Sequence, residues 1–129
     1  MNRCQKKALI YARCSTKRDQ STDAQVEELR RYCEARDFEI VHTITDEGIS
    51  GGTDKRRGLQ QLLSLVRKRE AAIVVVVKLD RLFRSLRHLI LTLEEFNELG
   101  IEFISMKDQI DCTTSHGRLL INIVGAFGE

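Results

Sequence analysis

The sequence contains no proline, no low-complexity tract and no long apolar run. Proline-rich linkers and membrane-spanning helices are therefore absent from this reading, as is an N-terminal signal built from charged, apolar and small-residue regions. Cys4, Cys14, Cys33 and Cys112 are scattered, with no C-x-x-C pair and no Cys/His cluster at zinc spacing, which argues against a metal site and a disulfide framework. A single domain of 129 residues can bury a core without such staples, so the cysteines read as reduced thiols in a cytosol. Neither G-x-G-x-x-G nor G-x-x-x-x-G-K-[ST] occurs, and G-x-S-x-G is missing too, so nucleotide-binding loops and the nucleophile elbow of the hydrolases lack support. An excess of one charge is also lacking. The net charge is +2, although positive charge clumps at Lys55-Arg56-Arg57, Arg67-Lys68-Arg69 and Arg81/Arg84/Arg87.

What is there alternates between strand and helix. Ala8 to Ala12 is a short apolar run that stops at Arg13 and fits a strand buried on both faces. Thr22-Asp23-Ala24-Gln25 has the spacing of a capping box, and Val26, Leu29, Tyr32 and Cys33 share one face of a helix running to about Arg36. Glu39 to Thr45 predicts a second strand, followed by a long glycine-rich loop over Asp46 to Asp54. Leu59, Leu62, Leu63 and Val66 recur at helical spacing. Ala71 to Val77, with four consecutive valines, predicts the central strand. Leu86, Leu89, Ile90, Leu93 and Phe96 mark a third helix that ends at Gly100, and Ile101 to Met106 a fourth strand. The expected fold is α/β, a mostly parallel sheet of four to five strands with helices on both faces. Gly117 to Phe127 is apolar nearly all round, as the start of a long helix used in subunit contact would be.

Open α/β sheets bind ligands beyond the carboxyl ends of their strands. Arg13, Ser15 and Thr16 follow the first strand, the glycine loop leads to Arg56 after the second, and Lys78-Leu79-Asp80-Arg81-Leu82-Phe83-Arg84 follows the third. Guanidinium groups match phosphate oxygens in bidentate geometry and stabilise the charge of a phosphoryl-transfer transition state. A serine among them is a candidate nucleophile, and no histidine lies near it in sequence to make a hydrolase triad. Taken singly, each of these residues has a plainer reading: a serine after a strand is usually a cap or a turn residue, and Asp80-Arg81 could be a helix-start pair.

The combination is more specific. Tyr11-Ala12-Arg13-Cys14-Ser15-Thr16 resembles the Y-A-R-x-S-T block of the serine recombinases, the resolvase/invertase family of site-specific recombinases. Asp46-Glu47-Gly48-Ile49-Ser50-Gly51 with Arg56-Arg57-Gly58-Leu59 resembles the family's second block, and Lys78 to Arg84 its third. Gly117-Arg118-Leu119-Leu120 with Asn122 to Phe127 is similar to the start of its long oligomerisation helix. The resemblance implies that Ser15 attacks a DNA phosphate to give a 5′-phosphoserine link and a free 3′-hydroxyl, with no metal, ATP or other cofactor. It implies a phosphate clamp of Arg13, Arg56, Arg81 and Arg84, with Asp80 orienting arginines and handling the proton of the leaving oxygen. Gln20, Gln25, Lys78 and Arg118 become further DNA- or phosphate-contacting residues, although the spacing after Ser15 includes one extra residue. Phe83 stands where the family usually has a small residue, and Gly128 is unusual within a long helix.

The resemblance further implies double-stranded DNA as partner, dimers and tetramers of the full-length protein, and a cytoplasmic bacterial, phage or mobile-element setting without membrane contact. It also carries the expectation that residues 1–129 are a catalytic domain cut within the long helix, with a DNA-binding domain beyond Glu129. Two other readings stay open on the residues alone. One is a Mg²⁺-dependent nuclease using Asp46, Glu47, Asp80, Asp108 and Asp111, weakened by the arginines around Asp80. The other is a DNA-binding or assembly module that keeps the fold without the chemistry.

Overall fold

Strand β1 (Lys7–Cys14) is buried on both faces, and every residue from Ala8 to Ala12 is 0% exposed. Its alternation divides two cores. Ala8 and Ile10 join Leu29 and Cys33 of helix α1 (Thr22–Ala35) on one face of the sheet. Leu9 and Tyr11 join the other, which contains Leu59, Leu62 and Val66 of helix α2 (Arg57–Arg67) and Leu89, Leu93 and Phe96 of helix α3 (Leu86–Leu99). The computed structural model describes residues 5–14, 21–47, 57–78, 86–108 and 110–111. The apolar segment from Gly117 to Phe127 lies outside the described residues.

Strands β2 (Glu39–Glu47), β3 (Ile73–Val76), β4 (Glu102–Ser105) and β5 (Ile110–Asp111) complete a sheet of order β2-β1-β3-β4-β5. The first four strands run parallel and β5 pairs antiparallel to β4. β3 is the middle strand, as its valine run predicts. Val74 and Val76 face the α2/α3 core while Ile73, Val75 and Val77 face the α1 core. The chain passes from β1 through α1 to β2 on one side, then returns across β1 to β3 and continues to β4. The winding therefore reverses between β1 and β3, the place where doubly wound sheets open a binding crevice at their carboxyl edge.

Several element limits differ from the sequence pattern. β1 and β2 are longer than their apolar runs, because Arg13 pairs with Asp46 and Cys14 with Glu47 in the parallel ladder. Arg13 is consequently a strand residue, and Asp46 and Glu47 belong to β2 instead of opening the loop. β3 and β4 are shorter than expected at both ends. The N-cap of α1 is Ser21, one residue before the expected box: its hydroxyl accepts from the Ala24 N–H at 3.2 Å, while the Thr22 hydroxyl donates to Glu47 instead.

Helices α1, α2 and α3 end in one hydrogen-bonding pattern. An amide just past each helix reaches five residues back into its last turn: Phe38 to Cys33, Glu70 to Leu65, Ile101 to Phe96. The pattern requires a left-handed residue, which is Asp37 (φ 61°), Arg69 (φ 60°) and Gly100 (φ 74°) in turn. Only Gly100 carries the sequence signal for it. Cys33 lies in the α1 core, and burial pushes its thiol up to about 11, which keeps it protonated and unreactive at neutral pH.

Candidate active site

Three adjacent strands, β2, β1 and β3, end at one edge of the sheet. Residue 15 follows the end of β1, residues 48–56 follow β2 and residues 79–85 follow β3, so the three segments that carry Ser15, Arg56, Asp80, Arg81 and Arg84 all depart from that edge. Those five residues, with Gln20 and Arg118, lie outside the described residues. Arg13, Gln25 and Lys78 lie within them. Lys78 is exposed immediately beyond β3, and Arg13 is half-buried at the end of β1.

Gln25 sits on the first turns of α1, and its side chain is 0% exposed. The Arg13 N–H donates to Gln25 Oε1 at 3.2 Å, and Gln25 Nε2 donates to the Arg13 carbonyl at 2.8 Å. The carboxamide thus reproduces the two-bond exchange of a hydrogen-bonded pair in an antiparallel ladder. β1 pairs with β3 only as far as Tyr11, so this amide supports the strand where one neighbour has ended. The same turn of α1 is tied to β2, because buried Thr22 donates to Glu47 Oε1 at 3.1 Å. The capping-box spacing located Gln25 on the right turn but gave it the wrong partner.

A second junction forms at the end of β2. Asp46 Oδ2 accepts from the Tyr11 hydroxyl at 2.6 Å and from the Leu59 N–H at 3.0 Å, and Oδ1 accepts from the Gly58 N–H at 2.7 Å. The carboxylate caps the free amides at the start of α2, where the helix dipole favours negative charge, and couples them to β1. Gly58 is required for this approach. A Cβ there would lie 2.7 Å from Asp46 Oδ1 and 2.8 Å from its Cγ, well inside contact distance. Tyr11 and Gly58 are therefore structural members of the site that residue-type reasoning passed over. Both stand inside the recognised sequence blocks, which was the available signal.

The remaining acidic and basic clusters separate from this edge or are otherwise occupied. Asp46 near the end of β2 and Asp108 after β4 belong to strands that are three spacings apart, about 14 Å, too far for one bridged metal pair. Asp108 accepts from the Ser105 hydroxyl at 2.6 Å, and among the described residues no three His, Cys, Asp or Glu side chains group as metal ligands. The Arg67-Lys68-Arg69 clump lies at the other edge of the sheet. There Arg67 makes a two-pronged bond to Glu95 and Arg69 donates to the Leu99 carbonyl, so these arginines clasp α2 to α3. A shallow cleft of about 340 Å³ beside them is lined by Lys6, Lys7, Arg69, Ala72 and Leu99 and is remote from the strand carboxyl ends. No helix of the described residues is long and apolar enough to cross a membrane.

Residues 8–129 match the family model described as Resolvase, N terminal domain. The chain is 38% identical over 125 residues to the probable DNA-invertase y4cG of Sinorhizobium fredii, covering 97% of this chain and 38% of that protein. It is 35% identical over 119 residues to the Tn917 transposon resolvase of Enterococcus faecalis, covering 92% of this chain and 59% of the relative. The chain thus spans well under two thirds of the length of these relatives. Among solved structures, the N-terminal catalytic domain of TP901-1 integrase superposes with a TM-score of 0.84 at 37% identity, over 95% of this chain and 93% of that one. A parallel sheet that reverses its winding beside the Tyr11–Ser15 block, and a match that takes in nearly every residue, together establish that the chain belongs to the resolvase N-terminal domain family, the catalytic domains of the serine recombinases.

Proposed function

We propose that this chain breaks and rejoins DNA strands at specific sites through covalent attack by Ser15. The carrying observation is the strand order β2-β1-β3, which makes the serine segment and both arginine-bearing segments leave from neighbouring strand ends. Ser15 Oγ attacks the scissile phosphorus and its proton passes to solvent or a nearby base. The bond from phosphorus to O3′ breaks, and O3′ takes up a proton to become a free 3′-hydroxyl. One phosphate ester replaces another, so the bond energy is retained and the reverse attack by a 3′-hydroxyl rejoins DNA without ATP. Arg13, Arg56, Arg81 and Arg84 neutralise the charge that develops on the phosphate oxygens. Asp80 orients those guanidinium groups and handles the proton of the leaving oxygen. Gln20, Lys78 and Arg118 contact the DNA around the scissile phosphate. The partner is double-stranded DNA, and the active species is an assembly of several copies.

The test uses nicked duplexes prepared from the DNA that flanks the protein's own coding sequence, incubated with the full-length protein in EDTA. A 5′ DNA end joined to Ser15, identified by mass spectrometry and lost in Ser15→Ala, is the expected result. Cleavage that needs Mg²⁺, or an adduct that survives Ser15→Ala, overturns the reading.

A further inference from the structure

The geometry points to Gln25 as a positioning residue for the nucleophile, acting through the Arg13 backbone and without touching DNA. This inference rests on the assignment of Ser15 as the attacking residue. Both polar ends of the Gln25 carboxamide are engaged by Arg13, at 3.2 Å and 2.8 Å, and its side chain is 0% exposed. A group so placed meets Arg13 inside the protein, while a phosphate must approach from solvent. The two bonds fix the peptide planes on either side of the Arg13 Cα, and Ser15 is two residues further along the chain. Its Cα is at most about 7.6 Å from that of Arg13, so a rotation of either plane carries directly into the position of Oγ. The pin belongs to the start of α1, which Ser21 caps and Thr22 ties to Glu47. Gln25 therefore ties the end of β1, which residue 15 follows in the chain, to the start of α1.

The chemistry of the pair gives a selective test. Arg13 needs an acceptor for its N–H and a donor for its carbonyl. Gln25→Met keeps the approximate volume and removes both. Gln25→Glu keeps the acceptor but sets a carboxylate against a carbonyl, and protonation of that carboxylate restores a donor. Full-length wild type, Gln25→Met and Gln25→Glu are compared on the same nicked duplexes under single-turnover conditions, with affinity measured separately by gel shift and folding by urea titration.

Gln25→Met is expected to cleave on the order of 10²-fold more slowly at saturating protein, as an ångström-scale misplacement of a nucleophile does, with DNA affinity unchanged. Gln25→Glu is expected to regain rate relative to wild type as the pH is lowered. A residue with only a folding role would leave the saturated rate of folded protein and the pH ratio unaltered. Wild-type rate in folded Gln25→Met, or a loss confined to affinity, overturns the inference. Should Gln25→Met not fold, the pH profile of Gln25→Glu decides it: recovery in acid supports the pin and a flat ratio overturns it. Wild-type protein that forms no Ser15 adduct defeats the underlying strand-cleavage reading instead, so the two failures are told apart.

Discussion

The two edges of the sheet use similar residues in different ways. At the carboxyl edge, Gln25 is fully buried and Asp46 partly so, and they bond to backbone groups and a buried tyrosine hydroxyl. At the amino edge, Lys6 pairs with Glu102 at 2.6 Å and Arg67 with Glu95 at 2.9 Å, but with 47% and 57% of the basic side chains exposed. Coulomb attraction between exposed ions is screened by water and offset by the entropy of holding two long side chains, so such pairs are worth about 0–1 kcal/mol. A buried polar group that loses its partner has no water to replace it, which costs about 1–3 kcal/mol and more where charge is involved. Short distances alone therefore do not rank these contacts. The better-buried of these contacts lie at the edge from which the serine and arginine segments depart.

Asp46→Ala should produce the largest change. It strips partners from the Tyr11 hydroxyl and from two helix amides together, and is expected to lower unfolding stability by about 3 kcal/mol, read by urea denaturation. Gly58→Ala attacks the same junction by crowding. The added Cβ displaces the Asp46 carboxylate, with an expected loss of about 2 kcal/mol and a fall in strand cleavage larger than stability alone explains. At the opposite edge, Arg67→Ala should cost no more than about 1 kcal/mol, shrinking further in high salt, with cleavage unchanged. A loss at Arg67 equal to that at Asp46 would break the distinction between the edges. A salt-independent loss of intermediate size would show that the clasp between α2 and α3 is tighter than its exposure implies.

Much of the architecture was legible in the residue pattern. The apolar run of β1 and the valines of β3 are strands buried on both faces, and only helices on both sides of a sheet satisfy such segments. Gly100 marked the end of α3, because glycine adopts a left-handed conformation without steric cost. Asp37 and Arg69 do the same work for α1 and α2 without a glycine to mark them, since the contacts of those turns offset the penalty of a side chain at positive φ. Of the candidate site residues, Arg13 and Gln25 meet through hydrogen bonds to the Arg13 backbone, a pairing that the motifs do not spell out. Residue type gives the number of donors and acceptors on a side chain and leaves their partners open.

The sequence by itself determined the alternation of strands and helices, the double-faced burial of β1 and β3, and the blocks that mark the family, because each is written in consecutive residues or at a fixed short spacing. Only the tertiary structure decided that β1 stands between β2 and β3, that Gln25 closes on Arg13, and that the two oxygens of Asp46 join β1 to the start of α2. Those partners are separated by 12 residues in the case of Gln25 and by 35 in the case of Tyr11 and Asp46. Nothing in local propensity sets such pairings. They follow from packing, which chooses which buried polar groups meet and makes any left unmet costly.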